Sequence, residues 1–495
     1  MSDMPKATVQ AAVNEFRRKA KGQVVLVLQG GGALGAYQVG VYQALHEARV
    51  EPDWIIGTSI GAINASIIAG NEPPDRLTKL DEFWKRMRPN AWPFVPAWTG
   101  FSETWSDWSI LVGGIPAFFT PNLPAFWGAH IPLGADGAGF YSTAALRKTL
   151  AELVDCSIIN KRTPRLTVGA ANVQTSMMHY FDSRQSEITI EQIMASGALP
   201  PAFPAVYTDG EFYWDGGILS NTPIEVIFED NPRRNSLIFG VQLWHPKGPV
   251  PQSIWEVLNR QKDIQFSSRV VSHITREQQA HRLRHVISQL IRHCPDDVRK
   301  SEAVRELAGY GCVTQMHLVP LLAPRLENEN HTKDIDFSPG GIGMRREAGY
   351  EATMRALERA PWQGEFDPIE GIIFHRATQE EMMAKDADPF ALGAAAKHTV
   401  AQAVDTYFDF LKKSVSSFPS GGTELGETLK DQGVENITAV HEFVKNLSKA
   451  KDFAEAHRIQ TEFTQSQLSA LGRHAVSIGE ACRKAAADAV KKPSS

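Results

Sequence analysis

Cysteine is scarce. The 495 residues hold four, Cys156, Cys294, Cys312 and Cys482, far apart and without metal-ligand spacing. That excludes a disulfide-stapled scaffold and a zinc module, and predicts reduced thiols in a cytoplasmic protein. No apolar run reaches the roughly 18–20 residues that a membrane span requires. The first 22 residues carry Arg17, Arg18, Lys19 and Lys21 and lack the apolar core of a signal peptide. An excess of positive charge is missing too. The formal net charge is −5, so nothing global points to nucleic acid. What remains is a chain too long for one ordinary domain, with a hydrophobic fraction of 43 % to fill sizeable cores.

Two strand–turn–helix units stand near the start. Val24–Leu28 is a short apolar, mostly β-branched run, as a buried parallel strand should be. Gly30-Gly31-Gly32-Ala33-Leu34-Gly35 follows, and a helix is expected from about Ala36 to Ala48. Trp54–Ile56 reads as a second buried strand, then Gly57-Thr58-Ser59-Ile60-Gly61, then a helix over Ala62–Ala69. A Gly-x-Ser-x-Gly between strand and helix is a nucleophile elbow: the serine sits at the tip of a tight turn. Ser59 is the candidate nucleophile.

The spacing predicts helices over Asp75–Arg88, over Ser142–Leu153 with Ser142 or Thr143 as cap, over Glu191–Ala198 and over Arg345–Arg359. Buried strands are expected at Arg165–Ala171, Leu237–Leu243 and Val313–Leu321. His179–Ser183 and Glu187–Ile190 read as a hairpin or edge pair, and Val206–Tyr213 as a hairpin turning at Asp209-Gly210. This alternation predicts an α/β fold with a mostly parallel sheet between helices, ending near residue 375. Residues 91–132 interrupt it with five tryptophans, five phenylalanines and many prolines. Such an insertion is a lid or binding loop, packed over the core as a cap or turned towards lipid or polymer. Ile254–Arg292 is expected to be one long helix. Its basic face (Arg260, Lys262, Arg269, Arg276, Arg282, Arg284, Arg292) is shared by His273, His281, His285 and His293. It reads as a solvated face, with contact to an anionic surface as the sharper alternative.

A serine nucleophile needs a base and donors for the oxyanion. The N–H groups of Gly30, Gly31 and Gly32, between a strand and a helix N-terminus, can converge on a small anion. Gly30, Gly32 and Gly35 also fit a dinucleotide fingerprint. However, the acidic residue expected after the second strand is missing, since Asp53 precedes Trp54, and the elbow occupies that strand's end. Two bases are possible. His245, just after the Leu237–Leu243 strand, would complete a triad. Asp215, with Gly216 and Gly217 behind it, would complete a dyad.

The glycine loop, the elbow and Asp215-Gly216-Gly217 occur in the order and context of patatin-like phospholipases, which residues 23–245 resemble. Ala195-Ser196, Pro200–Pro204 and Asn221-Thr222-Pro223 also match. The resemblance implies a three-layer fold and a Ser59–Asp215 dyad. It further implies an oxyanion hole of Gly30, Gly31 and Gly32, with Gly35, Gly57, Gly61, Gly216 and Gly217 supporting the turns. The implied activity is hydrolysis of the carboxylic esters of lipids through an acyl-enzyme, with no metal or other cofactor. In one respect the chain departs from the family: Leu34 stands where the glycine loop usually has a basic residue.

The rest of the chain differs. Residues 1–22 read as an arm and 376–388 as a polar linker. Pro389–Ser416 reads as an alanine-rich helix, broken at Phe418–Gly422, and from about Gly433 to Lys492 apolar residues recur at steps of three and four, so 389–492 is expected to be all-α. It resembles phasins, helical proteins that coat polyhydroxyalkanoate granules. That resemblance implies a peripheral place on a granule or membrane surface, with the helices also available for oligomerisation. Three functions follow: a lipid acyl hydrolase, a depolymerase of stored polyhydroxyalkanoate using the same dyad, or a granule-coat protein with weak activity.

Overall fold

The computed structural model describes residues 6–88, 114–127, 130, 132–326, 329, 331–367 and 369–375, with scattered positions from 434 to 466. The chain divides into two compact units, Met1–Asp386 and Ala387–Ser495. In the second, every described position is helical. Thr438 Oγ1 donates to the Val434 carbonyl and Arg458 pairs with Glu462, both one helical turn apart. The expected linker at 376–388 and the aromatic residues 92–108 lie outside the described residues.

Among its described residues the first unit has eleven strands: β1 (Gln23–Leu28), β2 (Trp54–Thr58), β3 (Thr120–Pro121), β4 (Tyr141–Ser142), β5 (Arg165–Asn172), β6 (Met178–Asp182), β7 (Val206–Thr208), β8 (Glu211–Asp215), β9 (Ser236–Gln242), β10 (Met316–Leu322) and β11 (Ile372–Phe374). Nine form one sheet in the order β11-β10-β9-β1-β2-β5-β8-β7, with β6 also on β5. From β11 to β5 all pairs are parallel; β6, β7 and β8 run antiparallel. β3 and β4 make a separate ladder. The principal helices are α1 (Lys6–Ala20), α2 (Ala36–Glu47), α3 (Ile60–Ala69), α4 (Arg76–Arg86), α5 (Ala144–Leu153), α6 (Ile190–Ser196), α7 (Ile254–His293) and α8 (Pro339–Arg359).

Both faces of β1 are buried, which is why the run from Val24 to Leu28 is apolar at every position. Val24, Leu26 and Leu28 pack with Tyr37 and Leu45 of α2 and Ile63 of α3. Val25 and Val27 face the other way, towards Ile224, Phe228 and Ile274 of α7. The result is the expected three-layer arrangement, helices against both faces of a mostly parallel sheet.

Some local expectations are met and others are corrected. Glu187–Ile190 is not a strand. Thr189 caps α6 in a capping box with Gln192, and that motif overrides the alternating pattern. At α5 the N-cap is Thr143, whose side chain makes no capping bond. β10 starts at Met316, three residues later than expected. The histidines of α7 do not share one solvated face. His281 and His285 are buried, each with its Nε2 on the Thr314 carbonyl. The side chains of Arg269 and His273 lie outside the described residues. Cys156, Cys294 and Cys312 are free thiols, and Cys482 is not among the described residues. Where the aromatic insertion is described, it caps the core: Phe118, Phe119, Tyr141 and Phe203 meet ring to ring.

α8 crosses α2 at very short range. A Cβ on Gly40 would lie 1.8 Å from the Arg346 carbonyl oxygen, and one on Gly349 would lie 2.0 Å from that of Tyr37. Only two glycines at the crossing permit this approach. Gly40→Val is therefore expected to cost about 3 kcal/mol or more, as overpacking against backbone that has nowhere to go. Urea denaturation tests this; an unchanged midpoint would contradict the crossing.

Candidate active site

The site forms where β1, β2 and β8 end. At the tip of β2 the chain turns through Ser59, whose φ of 57° and ψ of −129° are rare for a residue with a side chain. Such strain persists only where neighbours over-determine it. Here α3 starts immediately at Ile60, with no room for a Cβ on Gly61, which would meet the Leu28 carbonyl oxygen at 2.2 Å. The Ser59 N–H donates to Ser196 Oγ at 3.0 Å, and the Ser196 hydroxyl donates to the Gly169 carbonyl of β5 at 2.6 Å. Ser196 is fully buried, so this bridge is shielded from water. The half-buried Ser59 thus presents its hydroxyl from a rigid turn, over the positive end of α3.

Asp215 is the last residue of β8, held beside Ala170 of β5. Its carboxylate is buried and accepts from Gly217 N–H at 2.7 Å, and the Ser59 side chain lies close enough to favour its ionised form. Burial pushes its pKa up to about 6, against the opposing effects of Ser59 and the Gly217 hydrogen bond. The structure brings Ser59 and Asp215 together. His245 stands apart from this pair. Its backbone N–H approaches Asp263, and burial, then the Arg325 and Lys333 cations, lower its pKa to about 4. No hydrogen bond joins it to Ser59.

The glycine loop is clamped from three directions. Gly30 N–H donates to the Asn221 carbonyl at 3.2 Å, so it is already engaged and is not a free oxyanion donor. The Gly30 carbonyl accepts from Asn221 Nδ2 at 3.1 Å and from Trp244 Nε1 at 2.8 Å. Ala33 N–H donates to the Asp334 carbonyl at 2.8 Å. Gly32 adopts φ +55°, and a Cβ there would lie 2.2 Å from that same Asp334 oxygen. The N–H groups of Gly31 and Gly32 take no acceptor among the described residues. Leu34 is buried in the main apolar core. A buried cation does reach the loop's supports: Lys333 Nζ lies 2.8 Å from Asp263 Oδ1 and 5.2 Å from the Trp244 ring. Among the described residues no cluster of His, Cys, Asp or Glu is arranged to hold a metal ion.

Family models agree with this architecture. A patatin-like phospholipase model matches residues 26–228 and a second patatin phospholipase model matches 264–369. Over these stretches the chain is patatin-like. A phasin protein model matches residues 398–492, so the helical tail is phasin-like. Lysophospholipase NTE1 of Cryptococcus neoformans is 25 % identical over 233 residues, 45 % of this chain and 12 % of the fungal protein. Patatin-like phospholipase domain-containing protein 7 of Rattus norvegicus is 25 % identical over 217 residues, 43 % of this chain and 13 % of the rat protein. The match therefore spans only about an eighth of these relatives' length. VipD from Legionella pneumophila, a solved structure, is 17 % identical and covers 93 % of this chain and 88 % of its own, with a TM-score of 0.31, too low to bear on the fold.

The supporting residues were only partly visible in sequence. Ser196 and Asn221 could be quoted as matching pieces, but their bonds to the elbow and the glycine loop join residues more than a hundred positions apart. Trp244, Asp263 and Lys333 carried no motif. Ser196→Ala removes the buried acceptor of the Ser59 N–H. It is expected to lower kcat on an activated ester by about 10- to 100-fold while KM stays nearly constant, because orientation is lost and not binding. Steady-state kinetics would refute this role if kcat were unchanged.

Proposed function

We propose that the chain is a serine acyl hydrolase that cleaves carboxylic esters of lipids through a Ser59–Asp215 dyad. One observation carries the reading: Ser59, on a strained elbow, lies beside the buried carboxylate of Asp215, whose pKa burial raises to about 6. The patatin-like family match and the names of the relatives support the substrate class.

In this mechanism Asp215 accepts the Ser59 proton as Oγ adds to the ester carbonyl carbon. The carbonyl oxygen becomes an alkoxide facing the N–H groups of Gly31 and Gly32, with the N-terminus of α3 adding positive potential. Collapse breaks the bond to the leaving oxygen, which takes the proton from Asp215 and departs as an alcohol. The acyl group remains on Ser59. Water then gives its proton to Asp215 and adds to the acyl carbon. Collapse returns the proton to Ser59 and frees the acid. A carboxylate of ordinary pKa would be a feeble base; burial raises its basicity towards the working pH.

The phasin match favours a second reading in which the ester is a stored polyhydroxyalkanoate and the tail holds the enzyme on the granule. Hydrolysis of p-nitrophenyl butyrate, lysophosphatidylcholine and amorphous polyhydroxybutyrate separates the two. Ser59→Ala should reduce turnover of the true substrate by roughly 10⁴-fold and Asp215→Asn by roughly 10³-fold or more. Serine-independent turnover of all three would end both readings. The pH profile has a definite sign. Asp215 must be ionised to accept a proton, so kcat/KM should rise through about pH 6 and level off above it. A profile that instead falls as pH rises through 6 would contradict Asp215 as the base.

A further inference from the structure

At the opposite end of the sheet from Ser59 lies a cavity of about 460 Å³ that the chemistry above does not use. Its floor is the start of three parallel strands: Gln23 of β1, Trp54 of β2 and Arg165 of β5. β2 alone, at ~3.3 Å per residue over five residues, separates it from the elbow by about 16 Å. Six cations line it, although the chain as a whole is acidic: Arg17, Lys21, Arg162, Arg165, Arg184 and Arg234.

Three of these cations are held in place by carboxylates. Arg165 stacks 3.7 Å over the Trp54 ring and bonds Asp182 and Asp230. Arg184 shares Asp230, and Arg17 reaches Asp53 at 2.9 Å. The Nε of Arg17 is nevertheless buried without an acceptor. The other three, Lys21, Arg162 and Arg234, have no acidic partner among the described residues. Lys21 and Arg162 also adopt left-handed backbone, with φ of 46° and 66°. The cavity therefore has fixed guanidinium walls and a rim of three uncompensated charges. Converging cations of this kind attract a compact polyanion, and the guanidinium fork matches phosphate oxygens in particular.

We infer that this cavity is a second, non-catalytic site that binds a phosphate-bearing ligand carrying at least two negative charges. The ligand is a free phosphorylated molecule or the exposed phosphate of a lipid headgroup. The site is independent of the chemistry at Ser59.

The test uses the full-length protein and the double variant R162A/R234A, whose altered side chains are exposed and unpaired and should leave the fold intact. Titration calorimetry with inorganic pyrophosphate probes the free ligand. Sedimentation with phosphatidylcholine vesicles, with and without phosphatidic acid, probes the headgroup. Saturable binding in either arm, weakened at least tenfold in the variant with an unchanged melting temperature, supports the site. Pyrophosphate binding alone assigns a soluble ligand, and binding only to vesicles with phosphatidic acid assigns the headgroup. Binding in neither arm, or binding that the variant retains in full, overturns the proposal.

Discussion

A carboxylate buried against a serine hydroxyl is the interaction on which the site depends. Burying Asp215 runs against stability. Its pKa is raised from 3.8 to about 6, so the ionised form is disfavoured in the fold. At about 1.4 kcal/mol per unit this amounts to about 3 kcal/mol, absent below the unfolded pKa and fully present above about pH 6. The rest of the unit supplies the compensation. Parallel strands buried on both faces and the tight α2–α8 crossing hold a backbone rigid enough to keep both Asp215 and the strained Ser59 in place. The same rigidity leaves the N–H groups of Gly31 and Gly32 without an acceptor among the described residues, as the proposed oxyanion hole requires.

The residues that stiffen the glycine loop come from well beyond the elbow. Trp244 holds the Gly30 carbonyl, Asp334 holds Ala33, and the buried Lys333–Asp263 pair sits behind Trp244. A buried ion pair is not in itself strong stabilisation, but it fixes the place of both partners, since losing one leaves the other uncompensated. This gives the segment after β9 a role in the site. It also offers a physical account of how the loop manages with Leu34 in a position where the wider family tends to carry a cation.

Much of the fold was legible in the sequence because its signals are local. Apolar runs marked β1, β2, β5 and β9; glycines between strand and helix marked the turns; Asp209-Gly210 marked the β7–β8 hairpin. Ser59 and Asp215, the proposed nucleophile and base, each stood on a short motif, and the structure places them as neighbours. What was not legible is non-local. The Gly30 N–H is consumed by Asn221, nearly two hundred residues away. His281 and His285 look like part of a basic face until Thr314 of another segment supplies the carbonyl that buries them. The cationic cavity draws on five separate chain segments, so no window of sequence displays it. Glu187–Ile190 was a different failure. The Thr189-x-x-Gln192 capping signal was present and outweighed the alternation that suggested a strand.

The central claim, that Ser59 is activated by Asp215 and by no histidine, is tested most directly by covalent labelling. A fluorophosphonate accepts the serine oxygen at phosphorus and expels fluoride, so intact-mass and peptide mass spectrometry report the activated hydroxyl. One adduct, on the peptide containing Ser59, is predicted for the wild type and for His245→Ala, and none for Asp215→Ala at pH 7.5. Undiminished labelling of Asp215→Ala, or loss of labelling in a folded His245→Ala, would contradict the account.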